Sequence, residues 1–302
     1  MIQVTDMTKK FEGMTALEEI SCRIPKGCVY GMVGSNGAGK STLLRVLSGI
    51  YKADQGEVLF EGSPVYGNLK AMERIFLVAD EPWFLPQASL KRMAQMYAAF
   101  YERFDWGYYQ RLREMFRLDE KKPLDTFSKG MKRQASVVLA LSCRADVILF
   151  DETFDGLDSV MRKLLKQILY QEVAERETTV IVSSHSLREL EDMCDHLALM
   201  HQGKLIFAQD MDELKQSLLK VQAAYKDTVP AELFARLKIS TMIQEGSVVT
   251  MTVRGNRDEI LAVLKEGNPL LLNTLPLSLE EIFACEMEKL GYSFVGEGGF
   301  DE

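Results

Sequence analysis

Gly34-Ser35-Asn36-Gly37-Ala38-Gly39-Lys40-Ser41-Thr42 carries the densest chemistry in the chain. Its spacing is G-x-x-x-x-G-K-[ST], a pattern that cradles phosphate. The glycines let backbone N–H groups turn inward onto phosphate oxygens. Lys40 can then reach the β- and γ-phosphates, and the Ser41 hydroxyl can face Mg²⁺. Cys28-Val29-Tyr30-Gly31-Met32-Val33 reads as a buried strand before the loop. Leu43-Leu44-Arg45-Val46-Leu47 reads as a helix after it, and the N-terminal dipole of such a helix favours an anion.

A second constellation is Val147-Ile148-Leu149-Phe150-Asp151-Glu152, an apolar strand ending in two carboxylates. Ligands of open α/β sheets bind at that strand edge. Asp151 is expected to hold Mg²⁺ through water beside Ser41, and Glu152 to polarise an attacking water. A solvated acidic turn reads the same in isolation; the loop at 34–42 favours the chemical role. Upstream, Phe127-Ser128-Lys129-Gly130-Met131-Lys132-Arg133-Gln134 opens the apolar helix Val137-Val138-Leu139-Ala140-Leu141, with Ser128 fitting an N-cap. Phe154-Asp155-Gly156-Leu157-Asp158 follows Glu152, and His185 ends the strand Thr179-Val180-Ile181-Val182-Ser183-Ser184.

The elements that must position these groups are strands of two kinds. Arg74–Val78, Val147–Phe150 and Thr179–Val182 are short, apolar and rich in β-branched residues, as strands covered on both faces are. Helical patterns between them predict an α/β sheet. Ile2-Gln3-Val4 and Leu17–Ile24 carry the alternation of half-exposed strands. Residues from about 87 to 145 are helical in pattern and hold Tyr97, Phe100, Tyr101, Phe104, Trp106, Tyr108 and Tyr109. Those aromatics predict a small helical subdomain core, with some of them free to face a partner helix. Beyond Gln216 the pattern changes to a strand at Ser247–Val253, a helix at Asp258–Lys265, a strand at Leu270–Leu272 and a helix at Ser278–Leu290. The tail from 296 to 302 is Gly-rich and acidic, and is expected to be disordered.

The composition narrows the partners. A net charge of −8 argues against nucleic acid, which needs a basic surface. Cys22, Cys28, Cys143, Cys194 and Cys285 show no metal-ligand spacing and read as reduced, mostly buried thiols. No apolar run is long enough to cross a bilayer, so a separate chain must supply any membrane span.

In this order the motifs resemble those of the ATP-binding cassette (ABC) ATPases, over roughly Met1 to Leu214. Residues 34–42 match the Walker A motif and Val147–Glu152 the Walker B motif. Ser128-Lys129-Gly130-Met131 stands at the signature, Asp155-Gly156-Leu157-Asp158 at the D-loop and His185 at the switch histidine. Phe11 stands where the family stacks an aromatic on adenine, with simple packing as the alternative. The implied fold is a P-loop NTPase α/β parallel sheet. It carries an N-terminal antiparallel β part, a helical subdomain and a small C-terminal α+β domain. The implied boundaries are 1–216 for the ATPase domain and 217–295 for the accessory domain.

The resemblance also implies a mechanism. Two nucleotide domains face each other, and ATP bridges the Walker motifs of one and the signature of the other. Ser128, Gly130 and Asp158 then act in trans, Glu152 is the general base, His185 contacts the γ-phosphate, and Lys40 stabilises developing charge. The implied cofactors are ATP and Mg²⁺. The implied partners are a second nucleotide-binding domain, the same chain or another, and a transmembrane permease. The implied place is the inner face of the cell membrane.

Some positions depart from the family. Asp80 stands where a Mg²⁺-binding Gln is expected; its carboxylate predicts retained contact with the metal, directly or through water. Lys129 and Met131 replace Gly and Gln of the best-known signature, while the phosphate-contacting Ser128 and Gly130 remain. Thr153 replaces a proline. Pro82-Trp83-Phe84-Leu85-Pro86 lies where the family docks a permease helix. Leu275–Phe283 resembles the ending of bacterial exporter ATPase subunits, or is an ordinary capped helix. The leading expectation is therefore an ATPase subunit of a bacterial ABC transporter, an exporter. The runner-up is a soluble ABC ATPase of translation or DNA repair, and a third is a regulator with little turnover.

Overall fold

The computed structural model describes residues 1–226 and 231–289; the tail expected over 296–302 lies outside them. In chain order the first elements are β1 (Ile2–Phe11), β2 (Met14–Ile24), β3 (Val29–Val33), α1 (Lys40–Leu47), β4 (Gln55–Phe60), β5 (Ser63–Pro64), α2 (Leu69–Met72) and β6 (Ile75–Val78). Three helices follow, α3 (Leu90–Phe100), α4 (Trp106–Met115) and α5 (Lys129–Ser142). The chain then returns to the sheet with β7 (Val147–Asp151), α6 (Ser159–Arg176), β8 (Thr179–Ser184), α7 (Leu187–Glu191), β9 (His196–His201) and β10 (Lys204–Asp210). Contacts divide the molecule into two compact units, Met1–Ala208 and Gln209–Glu302.

The first unit is built on a six-stranded sheet in the order β10-β9-β3-β8-β7-β6. β3 runs parallel to β8 and β9, and β7 parallel to β8 and β6. Every residue of β3, β7 and β8 is buried, which is why these segments read as unbroken apolar runs. Their parallel direction brings the ends of β3, β7 and β8 to one edge, and the loop 34–42, Asp151 and His185 sit there. A second, antiparallel sheet, β2-β1-β4-β5, lies over α1. Ile2, Met7, Leu17 and Ile20 pack with Leu43, Leu44 and Leu47 in one core. Truncating a residue buried as fully as Leu44 costs about 2–5 kcal/mol. That core anchors the helix that follows the phosphate loop.

The helical stretch is α3, α4 and α5, capped by the side chains of Ser89, Asp105 and Ser128. Its aromatics divide. Tyr109 is fully buried against Phe104 and Trp106, and Tyr97 and Tyr101 pack on Phe76, whereas Phe100 is exposed.

The second unit starts earlier than the shift near Gln216 suggests. α8 (Met211–Gln216), capped by Asp210, leads directly into β11 (Leu218–Ala224). α9 (Ala231–Phe234), β12 (Lys238–Glu245), β13 (Val248–Arg254), α10 (Arg257–Glu266), β14 (Leu271–Leu275) and α11 (Leu279–Lys289) complete it. Its antiparallel sheet runs β12-β13-β11-β14 around a core of Val221, Tyr225, Val249, Met251, Ile260 and Leu264. The sequence reading missed β11 and β12. β12 is an edge strand with an exposed C-terminal half, so it lacks the apolar alternation that marks a strand.

Cys28, Cys143, Cys194 and Cys285 are buried and Cys22 is half-buried, none of them in a disulfide. Burial pushes the Cys22 thiol up to about 11 and the Cys28 thiol up to about 12, so both stay protonated and unreactive near neutrality.

Candidate active site

A cleft of about 460 Å³ opens over the loop. Asn36, Gly37, Ala38, Gly39, Lys40, Ser41 and Thr42 line it, together with Phe11, Glu152 and residues 14–16 and 202–203. Gly34 and Ser35 contribute main-chain oxygens, both held by Lys40.

Gly39 makes the loop possible. Its φ is 99°, a left-handed conformation, and a Cβ there would lie 2.7 Å from Leu17 Cδ2. It caps α1 without a side-chain hydrogen bond, and the first turn holds no acidic residue. The N–H groups at that helix end are therefore donors for an anion. Lys40 Nζ is buried. It donates to Gly34 O at 2.7 Å and Ser35 O at 3.1 Å, and lies 3.4 Å from Glu152 Oε1.

The acidic side of the site comes from β7. Its register pairs Asp151 with Ser183 of β8. Ser183 Oγ and Ser41 Oγ each donate to Asp151 Oδ1 at 2.9 Å. Three hard oxygens from three elements thus meet at one point, and Asp151 is almost fully buried there. Ser183 Oγ also accepts from the Glu152 N–H at 3.1 Å. Glu152 has φ 45°, a left-handed backbone rare for a non-glycine residue, which turns its side chain off the strand line and into the cleft.

Phe11 lines the cleft from the end of β1, with Tyr51 edge-on at 5.2 Å and Lys9 Nζ 5.0 Å from the ring centre. His185 directly follows β8 and is exposed. Ser128 and Asp158 lie elsewhere on the first unit's surface. Each is exposed and caps a helix: Ser128 accepts from Met131 N at 3.2 Å, and Asp158 from Val160 N and Met161 N. Neither they nor Gly130 line the cleft.

Asp80 lies apart from the other expected metal ligands. Its carboxylate pairs with Arg133 Nη2 of α5, whereas Asp151 accepts from Ser41 and Ser183. A guanidinium already compensates its charge, which sets it apart from Asp151. Ser183, Gln202, Gly203 and Arg133 were not read as site residues. The paired serines closing an apolar strand were a usable signal for Ser183. Gln202-Gly203 is a turn with both φ positive, and its Gly203 N–H donates to Ala38 O, bracing the loop from β9 and β10.

Comparison with known proteins identifies the family. The family model described as ABC transporter matches residues 17–155. The ABC transporter ATP-binding protein YtrB of Bacillus subtilis is 32% identical over 95% of this chain and 98% of its own length. The bacitracin transport ATP-binding protein BcrA of Bacillus licheniformis is 29% identical over 72% of each chain. The dimeric cassette MJ0796, solved in a post-hydrolysis state with ADP and Pi, superposes with a TM-score of 0.63 at 20% identity, covering 70% of this chain and 99% of that one. The chain belongs to the ABC transporter ATP-binding proteins. It is an ATPase, the nucleotide-binding subunit that powers a separate permease. No helix among the described residues is long and apolar enough to cross a membrane.

Proposed function

We propose that ATP binds in the cleft over residues 34–42 with its base against Phe11, and that two such domains enclose it. The observation that carries this reading is the convergence of Ser41, Asp151 and Ser183 oxygens beside the uncapped end of α1. Those donors fit Mg²⁺, a hard cation held by few protein oxygens plus substrate phosphates. Ser41 and Asp151 hold it, and when bound it neutralises phosphate charge. Lys40 releases the loop carbonyls and moves onto the β- and γ-phosphates. Glu152 takes the proton of the attacking water, and His185 orients the γ-phosphate. Ser128, Gly130 and Asp158 supply the opposing surface in trans, which fits the exposure of Ser128 and Asp158 and the absence of all three from their own cleft lining. Closure follows because ATP contacts both surfaces only in the closed state.

The permease docks on the first unit, and the protein works at the inner face of the membrane. Trp83 is 68% exposed, and an apolar groove of about 410 Å³ is lined by Ile50, Leu69, Met72, Phe76 and Phe100. Uncovered apolar surface of this kind marks a partner site. The relative named for bacitracin transport supports a transport role, and the Leu275–Phe283 run supports export as its direction. Detergent extraction of the tagged chain tests the reading. Co-purification of a membrane protein with Mg-ATPase activity is expected; sedimentation with ribosomes or DNA and no membrane partner overturns it.

A further inference from the structure

Arg133 was given no role in the motifs read above, yet it is the buried centre of a junction. It is 4% exposed, unusual for arginine. It follows the signature in α5. Nη2 donates to the Asp80 carboxylate, and Nε donates to the Asp80 carbonyl oxygen at 3.3 Å. The other side of the guanidinium lies against Gly156. A Cβ built there would fall 1.7 Å from Nη1 and 2.5 Å from Cζ. Gly156 is not among the glycines of positive φ, so its backbone does not demand glycine; the space taken by Arg133 does. A Cβ on Gly130 would meet the Gly156 carbonyl oxygen at 3.4 Å, so the signature and the loop before α6 touch directly.

We propose that Arg133 is a positioning residue that fastens three segments into one plate: the turn at Asp80, the signature end of α5, and the loop 154–158. The proposal rests on the trans reading above. The plate holds Ser128 and Asp158, the two exposed helix caps, in fixed register for the opposing nucleotide. The same guanidinium ties them to the segment that carries Trp83, three residues beyond Asp80. Asp80 is the counter-ion of this fastening. An amide at position 80 would accept the hydrogen bond without the compensating charge.

The test is a double-mutant cycle with kcat, KM for ATP and melting temperature measured on the full chain. Gly156→Ala pushes the guanidinium out, and Arg133→Ala removes it. Each lowers kcat about tenfold and leaves KM within about twofold, because neither residue lines the cleft. The combined variant is no slower than Arg133→Ala alone, since the new Cβ then has room, whereas independent effects would multiply to about a hundredfold. Should Arg133→Ala fail to fold, Arg133→Lys combined with Gly156→Ala serves instead. The slimmer ammonium relieves the clash, so this pair is faster than Gly156→Ala alone. Multiplying losses, or unchanged kcat in Gly156→Ala, overturns the proposal. A wild-type chain that binds no ATP and shows no ATPase activity overturns the nucleotide reading itself, and the proposal with it.

Discussion

Asp151 and Asp80 stand at or just beyond the ends of neighbouring parallel strands, β7 and β6, and they are chemically different groups. Asp151 is buried and accepts hydrogen bonds from the neutral hydroxyls of Ser41 and Ser183. Its charge is left for a cation. Asp80 has a side chain 42% exposed and is paired with the buried guanidinium of Arg133. Its charge is spent inside the protein. On the proposed reading, the same residue type at the same sheet edge serves a metal in one place and a mechanical joint in the other. What decides is the neighbour: hydroxyls leave a site, and a guanidinium closes one.

The comparison can be broken most forcefully on the Asp151 side. Replacing Glu152 with Gln keeps the shape of the cleft and removes the base, so kcat falls about 10²- to 10⁴-fold. ATP binding survives, and gel filtration with Mg-ATP shows a dimer. A Glu152→Gln chain that binds ATP and stays monomeric counts against closure by two copies.

A smaller effect is expected at Phe11. Stacking on a base contributes about 1–3 kcal/mol, so Phe11→Ala raises KM for ATP by roughly 5- to 100-fold with little change in kcat. GTP shows a similar loss, because stacking tolerates any base. A selective loss for ATP means that hydrogen bonds, not the ring, read the base.

The smallest effect sharpens the lesson about neighbours. Asp146 precedes β7, at the opposite end of that strand from Asp151, and Arg74 and Arg103 bind it at 2.5 and 2.9 Å. Burial pushes its carboxyl up, but the two guanidiniums outweigh that and hold it below the usual carboxylate range. With a lowered folded value, its stabilisation is complete above the unfolded value of about 4. It is lost as pH falls through the folded value. Acid melting curves should therefore show a shallower low-pH limb in Asp146→Asn, with ATPase activity retained. Parallel limbs in both proteins remove Asp146 from the account.

The phosphate-loop motif and the carboxylates at the end of β7 were legible in the sequence because each motif is contiguous and its chemistry is local. The parallel strands were legible because burial on both faces leaves an apolar run. The joint at Arg133 was not. It brings together residues from three segments, with Asp80 and Arg133 separated by 53 positions, and only the packed fold makes them neighbours. Asp80 shows the same limit: its place in the motif order was visible, and its partner was not. Ser183 was hidden inside a strand, where its register with Asp151 is a property of the sheet. Gln202-Gly203 was hidden between strands that carry no motif.

We propose that Asp151, and not Asp80, serves the metal. Mn²⁺ can stand in for Mg²⁺, and its affinity in the presence of a non-hydrolysable ATP analogue can be read by electron paramagnetic resonance. The account predicts that Asp151→Asn weakens Mn²⁺ binding at least about tenfold, in the range seen when metal-site groups are altered, while Asp80→Asn stays within about twofold of wild type. An equal loss in both variants, or a loss confined to Asp80→Asn, contradicts it.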